Sequence, residues 1–234
     1  MLRCGDVKIM IKRNYSKELE GIIKDNSGKK PALLIHCCCA PCSSYVLEYL
    51  SEFFEITFLF YNPNISPESE FKYRESELKR LVSEMSPKSK IDIIVPKYDD
   101  REFYSVVKGF EDIPEGGERC FRCYELRLVK AMEYAQKNNF EYFTTTLSIS
   151  PYKNAEKLNE IGERLAQKCE RLKWLPSDFK KKNGYKRSIE LSRKYNLYRQ
   201  DYCGCVFSKA QRDKNGNSGK CQVRKNKSDS LQTM

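Results

Sequence analysis

The 234-residue sequence has a single histidine, His36, and lacks any uninterrupted apolar run of about eighteen residues. The first scarcity excludes a histidine-rich metal site and a Ser/His triad elsewhere in the chain. The second argues against an apolar membrane span, and no charged-then-apolar leader ending in small residues is present. A cytoplasmic protein with no membrane partner is expected. No glycine-rich cradle follows the first apolar strand, which disfavours a dinucleotide or Walker-type phosphate site. There is no internal repeat and no second core, so the length suits one domain with extensions.

Two excesses stand against these absences. The net charge of +11 points to a polyanionic partner, nucleic acid ahead of anionic lipid. The second excess is eleven cysteines, an odd number that cannot all pair internally. In a reducing compartment such a density indicates metal binding or redox chemistry rather than disulfide staples. Eight of them form three tight groups: Cys37, Cys38, Cys39 and Cys42; Cys120 and Cys123; Cys203 and Cys205. Isolated Cys4, Cys169 and Cys221 read as small buried hydrophobes.

Hydrophobic periodicity alternates between strand and helix. A short helix spans Tyr15 to Ile23, and Ala32 to Ile35 reads as a fully buried strand. After the cysteine cluster come a helix from Ser43 to Phe53, a strand from Glu55 to Tyr61 and a helix from Glu68 to Met85. Strand Lys90 to Val95, helix Asp99 to Lys108 and helix Cys120 to Asn138 follow. Strand Tyr142 to Thr145, helix Tyr152 to Cys169 and a short strand at Lys173-Trp174 complete the series. This alternation predicts an α/β, Rossmann-like parallel sheet with helices on both faces. A C-terminal extension, with a helix from Arg187 to Tyr195, carries Cys203 and Cys205. The domain plan is residues 1–29 as an N-terminal extension, 30–207 as one α/β domain and 208–234 as a basic tail. With seven Lys or Arg against two Asp beyond Ser208, that tail is expected to be disordered.

Ligands of such sheets gather beyond the carboxyl ends of the strands, where the first cysteine group, Asn62-Pro63-Asn64 and Thr146 to Ser150 all fall. Thiolates suit zinc, copper(I) or iron–sulfur clusters. Eight candidates exceed one four-ligand site, and adjacent Cys38 and Cys39 are hard to aim at one iron, which makes a double centre plausible. A structural zinc ribbon is the bland alternative, and a dithiol oxidoreductase is another. Zinc ribbons prefer short hairpins, whereas Cys120 opens a helix and Cys203 and Cys205 are one residue apart. At a helix N-terminus the dipole favours thiolates at Cys120 and Cys123.

His36 reads equally as a proton source or donor to cluster sulfur and as a satisfied core histidine. Asn62, Asn64 and Arg74 suit a polar heterocycle or phosphate, and Thr146 and Ser148 offer hydroxyls, with helix capping as the plain alternative. The loop from Asp178 to Tyr185 mixes carboxylate, aromatic and cations in a composition fit for RNA. Asp178 or Asp201 would suit a hard oxygen ligand or a proton donor.

The motifs Leu34-Ile-His-Cys-Cys-Cys-Ala-Pro-Cys-Ser43, Tyr61-Asn-Pro-Asn-Ile65, Cys120-Phe-Arg-Cys-Tyr124 and Leu126-Arg-Leu128 resemble the cobalamin-independent epoxyqueuosine reductase family, QueH. The resemblance continues through Thr145-Thr-Leu147, Ser150-Pro-Tyr-Lys153, Asp178-Phe-Lys-Lys181 and Tyr198 to Ser208, covering roughly residues 12 to 212. It implies an adenine-nucleotide-α-hydrolase-like fold and reduction of epoxyqueuosine to queuosine at the wobble position of tRNA, the last step of queuosine biosynthesis. It also implies a [4Fe-4S] cluster with an adjacent mononuclear iron, and an electron donor. The metal ligands would come from Cys38, Cys39, Cys42, Cys120, Cys123, Cys203 and Cys205, with an aspartate nearby. Cys37 falls outside the ligand set. Asp178, Asp201 or a tyrosine would supply a proton, and Lys180, Lys181, Lys182 and Lys186 would hold RNA phosphates. The competing functions are a zinc-stabilised, non-catalytic RNA-binding module and a sulfur-transfer or thiol oxidoreductase enzyme.

Overall fold

A computed structural model describes residues 13–85 and 91–214. Five strands, β1 (Ala32–His36), β2 (Glu55–Leu59), β3 (Asp92–Ile94), β4 (Tyr142–Thr145) and β5 (Lys173–Trp174), form one sheet in the order β3-β2-β1-β4-β5. Every pairing is parallel. Eight helices accompany them among the described residues: α1 (Tyr15–Asp25), α2 (Ala40–Leu50), α3 (Glu68–Met85), α4 (Arg101–Val107), α5 (Glu118–Lys137), α6 (Ala155–Ala166), α7 (Gly184–Lys194) and α8 (Val206–Lys214). None is long and apolar enough to cross a membrane.

The period-two alternation of β1 explains why it reads as a continuous apolar run. Leu33 and Ile35 pack with Leu19 of α1, Val46, Leu47 and Leu50 of α2, and Phe71 and Leu78 of α3. Leu34, pointing the other way, packs with Leu128 and Ala131 of α5 and Leu158 and Ile161 of α6. Each such leucine buried from water contributes roughly 1.5–3 kcal/mol. The sheet is therefore covered on both faces, as predicted, and the chain reverses its winding direction at β1. Loops after β1, β2 and β4 converge there, at the position where open α/β sheets bind ligands.

Two boundaries differ from the sequence reading in ways that matter. Helix α2 begins at Ala40 rather than Ser43, because Pro41 pre-sets the helical φ in its first turn and Cys39 takes the N-cap. Helix α8 continues to Lys214, beyond Ser208, where a tail without structure was expected. Phe207 of α8 packs on Phe103, and Arg212 pairs with Asp201 at 2.7 Å. The remaining expected tail, and Cys4 and Cys221, lie outside the described residues.

The C-terminal extension is strapped onto α3. Glu77 accepts from the Tyr198 amide at 3.0 Å, Arg80 donates to the Tyr195 carbonyl at 3.1 Å, and Arg74 donates to the Cys203 carbonyl at 3.3 Å. On the opposite flank Asn159 of α6 accepts from the Trp174 indole and the Ser177 amide, both at 2.9 Å, fixing the loop after β5. Helix α6 lies so close to Trp174 that a Cβ at Gly162 would stand 2.2 Å from its ring. Alanine ordinarily favours helix over glycine by about 1 kcal/mol. Here Gly162→Ala is expected to destabilise the protein by roughly 1–3 kcal/mol, as in other overpacked cores, read as a lower urea midpoint at unchanged slope.

Candidate metal centre

The first cysteine group wraps the N-terminus of α2. Cys39 is the N-cap residue in extended conformation and Cys42 lies in the first turn. The sulfurs of Cys38, Cys39 and Cys42 all lie within 4.8 Å of one another, the one such group of candidate metal ligands among the described residues. Cys38 and Cys39 approach to 3.7 Å. Thiolates around a single zinc-sized ion, with bonds near 2.3 Å, stand about 3.8 Å apart. The vicinal pair thus converges on one point, where the sequence suggested that two adjacent thiols would diverge. The turn into the helix brings them together. Cys37 points into the core instead, its sulfur donating to the Leu59 carbonyl at 3.5 Å.

The other four thiols come from two distant segments. Cys120 and Cys123, one helical turn apart, share a face of α5, and the Gly116 amide donates to the Cys120 sulfur at 3.3 Å. Gly204 turns the chain between Cys203 and Cys205 at φ +111°, and a Cβ there would press on Ile65 at 3.0 Å and on the Arg74 guanidinium at 3.1 Å. That turn brings Cys205 against Cys123 in a small cluster with Phe103 and Val107. The Ser208 amide donates to the Cys205 sulfur at 3.3 Å.

The first and third groups each contain one thiol shifted towards the thiolate. Hydrogen bonds from Cys38 and Cys42 hold the Cys39 thiol well below its usual range, against the opposing effect of burial. Cys203 is lowered likewise, first by Cys205 and then, against burial, by Lys153 and Arg127. Their donors move the other way: Cys38 is pushed up to about 12, chiefly by its hydrogen bond to Cys39. Burial lifts Cys123 to about 11, with Arg127 pulling it down. Thiols with pKa values driven apart in this manner mark a site rather than a packed core.

Three buried cations accompany them. Arg127 of α5 is 1% exposed, and its Nε donates to the Cys123 carbonyl at 3.1 Å. Burial opposes its charge, but Cys123, Cys203 and Cys38 more than compensate. This guanidinium therefore feels all three cysteine groups. Arg74 of α3, equally buried, pairs with Glu70 at 2.7 Å and feels the Cys39 charge. Lys153 reaches the Cys203 sulfur at 3.1 Å and Glu115 at 3.2 Å. Several buried polar atoms here have no hydrogen-bond partner among the described residues: Nη2 of Arg74 and of Arg127, the Tyr124 hydroxyl, the Asn62 and Gln200 side-chain oxygens and both amide atoms of Asn64. Native cores leave few such atoms, so this collection fits a polar or ionic guest.

The other residues singled out in the sequence are distributed unequally. Thr146 is buried with its hydroxyl 3.9 Å from the Cys38 sulfur, and Asn62 donates to the Cys37 carbonyl at 2.9 Å. Ser148 is committed to Ser177 at 3.0 Å and to the Phe179 amide at 3.4 Å. His36 is a satisfied core histidine. Its Nε2 lies 3.0 Å from the Tyr61 carbonyl, so it carries the proton and donates, leaving Nδ1 to accept from Thr145 at 2.9 Å. Burial, with Arg127 nearby, holds its pKa well below the usual range, and both ring nitrogens are engaged by Thr145 and Tyr61. Asp201 is exposed and bonded to Arg212, and Asp178 pairs with Lys180 at 2.9 Å; neither hydrogen-bonds a thiol among the described residues. Lys180 also donates to the Ser148 carbonyl at 3.1 Å and Lys182 pairs with Glu20, whereas Lys181 and Lys186 are exposed without an ion pair to a described residue.

Arg127, Lys153, Glu115, Tyr124 and Gln200 are site residues to which the sequence reading gave no individual role, although all but Glu115 lie in the motifs that carry the family resemblance. For Arg127 a signal exists: Cys120, Cys123, Tyr124 and Arg127 follow the i, i+3, i+4, i+7 stripe of the buried face of α5. Lys153, in an irregular loop, has no periodic signal.

The family model described as epoxyqueuosine reductase QueH matches residues 33–211. The epoxyqueuosine reductase QueH of Streptococcus pyogenes serotype M1 is 42% identical over 201 residues, covering 84% of this chain and 78% of the relative. That of Staphylococcus epidermidis is 41% identical over 203 residues, covering 84% and 85%. The Thermotoga maritima protein of the same name is 35% identical over 186 residues, covering 77% and 91%.

The geometry separates Cys37 from its neighbours. Cys37→Ala is expected to retain the metal content of the wild type after anaerobic purification, whereas Cys39→Ala loses most of it, as elemental analysis will show. Equal losses in the two variants would contradict this assignment.

Proposed function

The chain belongs to the epoxyqueuosine reductase QueH family, and on that premise we propose that it reduces epoxyqueuosine to queuosine at the wobble position of tRNA. The observation that carries the reading is the convergence of three sequence-distant cysteine groups, with buried cations, at the ligand-binding edge of the sheet. The enzyme is an oxidoreductase. Two electrons and two protons convert the epoxide to the alkene and release its oxygen as water, the electrons coming from an external donor. We also assign the sheet, on its strand order, to the adenine-nucleotide-α-hydrolase-like fold.

The donor set fits soft metals: Cys38, Cys39, Cys42, Cys120, Cys123, Cys203 and Cys205 would hold a [4Fe-4S] cluster and an adjacent mononuclear iron. Such centres supply single electrons and a Lewis acid for a poor alkoxide leaving group. The protein's own groups do the rest. Arg74 and Arg127 offset the charge of the thiolates and turn an unpartnered Nη2 towards a polar guest. Asn62 and Asn64 supply unpartnered amide atoms of the kind that read the edge of a polar heterocycle, and Thr146 lies beside Cys38. The Tyr124 hydroxyl, buried without a partner and sensing Cys120 and Cys203, is an O–H placed to deliver a proton. Asp178 and Asp201, bonded to Lys180 and Arg212, would need to exchange those partners to take that role. Lys181 and Lys186, exposed and without an ion pair among the described residues, offer cations for the phosphates of an RNA loop whose bases are splayed out.

In a strain lacking this protein and any redundant reductase, mass spectrometry of tRNA is expected to show accumulated epoxyqueuosine in place of queuosine. Lost thiolation would instead indicate sulfur transfer, and an unchanged modification profile a binding module. Anaerobically purified protein is expected to contain iron and acid-labile sulfide; colourless protein with zinc alone would exclude the iron–sulfur centre. Replacing Lys181 and Lys186 together with alanine is expected to flatten the salt dependence of anticodon stem-loop binding by about 1.5 in log–log slope, at about 0.7–0.9 per lost phosphate contact.

A further inference from the structure

Lys153 is a buried ammonium for which neither electron delivery nor proton delivery has a stated use. Its Nζ donates to the Cys203 sulfur at 3.1 Å and to Glu115 at 3.2 Å. The other Glu115 oxygen accepts from the Ser208 hydroxyl at 2.8 Å, and that hydroxyl accepts from the Cys203 amide at 3.1 Å. The contacts close a ring: sulfur, ammonium, carboxylate, hydroxyl and the amide of the same cysteine. Four elements meet in it: the loop before α5 with Glu115, the loop before α6 with Lys153, the turn that delivers Cys203 and the first turn of α8 with Ser208. The Lys153 side chain is 7% exposed and that of Glu115 27%, so water screens the ammonium poorly.

We propose that Lys153, held by Glu115, is a positioning residue that raises the reduction potential of the centre bound through Cys203, by fixing a positive charge and an N–H···S hydrogen bond on that sulfur. The inference rests on the reading of these thiols as ligands of redox-active iron. Reduction adds negative charge to a cluster, so a fixed cation beside a ligand sulfur stabilises the reduced form. Hydrogen bonds to sulfur and net local charge are the means by which proteins set such potentials. Glu115 acts in the opposite sense: it orients the ammonium, but its own charge lowers the potential. The ring therefore carries two charges of opposite effect on one sulfur.

The test is a potentiometric titration of anaerobically purified holoenzyme, followed by electron paramagnetic resonance and visible absorption. Lys153→Met is expected to shift the midpoint downward, Glu115→Gln to shift it upward, and Lys153→Arg to leave it close to wild type. A merely structural ring would not give shifts of opposite sign. Midpoints that stay fixed, or move together, in folded protein with wild-type iron content overturn the role of Lys153 and leave the iron–sulfur reading standing. If Lys153→Met fails to fold or to hold iron, the sign of the Glu115→Gln shift decides alone. A wild-type protein with no redox-active iron overturns the iron–sulfur reading and this inference together.

Discussion

Arg74, Arg127 and Lys153 are placed where an isolated charge costs several kcal/mol of lost hydration, a cost offset by the neighbouring sulfurs and, for Arg74 and Lys153, by Glu70 and Glu115. Cys39 and Cys203, which burial alone would keep protonated, are lowered first by hydrogen bonds from neighbouring thiols and then by these cations. The dependence runs through segments far apart in the chain: Arg127 of α5 senses Cys38 of the first loop and Cys203 of the last. Arg74 of α3 senses Cys39 and holds the Cys203 carbonyl. The same Arg74 thus ties the C-terminal extension to the cysteine loop of the domain.

The parallel sheet supplies the place where such compensation is possible. With both faces covered by helices, its carboxyl edge is the one region where loops after β1, β2 and β4 must meet, and the N-termini of α2 and α5 bring their cysteines to it. Parallel strands demand long crossovers, so residues at neighbouring strand ends are distant in sequence by construction. The extension after α7 is not part of that scheme. It is held by Glu77, Arg80 and Arg74 of α3, so a helix whose exposed face carries ordinary i, i+4 ion pairs also positions two candidate ligands. Arg80 and Glu77 contribute mainly as anchors to backbone groups of the extension, since exposed ion pairs alone add little.

Much of the fold was legible because buried parallel strands leave short continuous apolar runs and the helices between them keep a 3.6-residue period. The boundaries that moved are those where local chemistry outweighed periodicity. Pro41 and the Cys39 N-cap start α2 inside the cysteine motif, and α8 forms in a polar stretch because Phe207 and Arg212 find partners that only the folded chain provides. The cysteine groups were legible as a constellation through their spacing. Their geometry was not, since whether two vicinal thiols converge depends on the turn that follows them.

Composition, spacing and pattern by themselves determined the α/β class, the three cysteine groups and the exclusion of a glycine-rich phosphate cradle. Each of these is a local property that any segment carries before folding. Tertiary structure alone decided that both ring nitrogens of His36 are engaged in the core, that Asp178 and Asp201 are paired with cations, and that Arg127, Lys153 and Glu115 join the contact network around the cysteines. The reason is that protonation, pairing and desolvation are properties of surroundings. Those surroundings come from strand ends and loops more than a hundred residues apart, as in the 109-residue separation of His36 from Thr145.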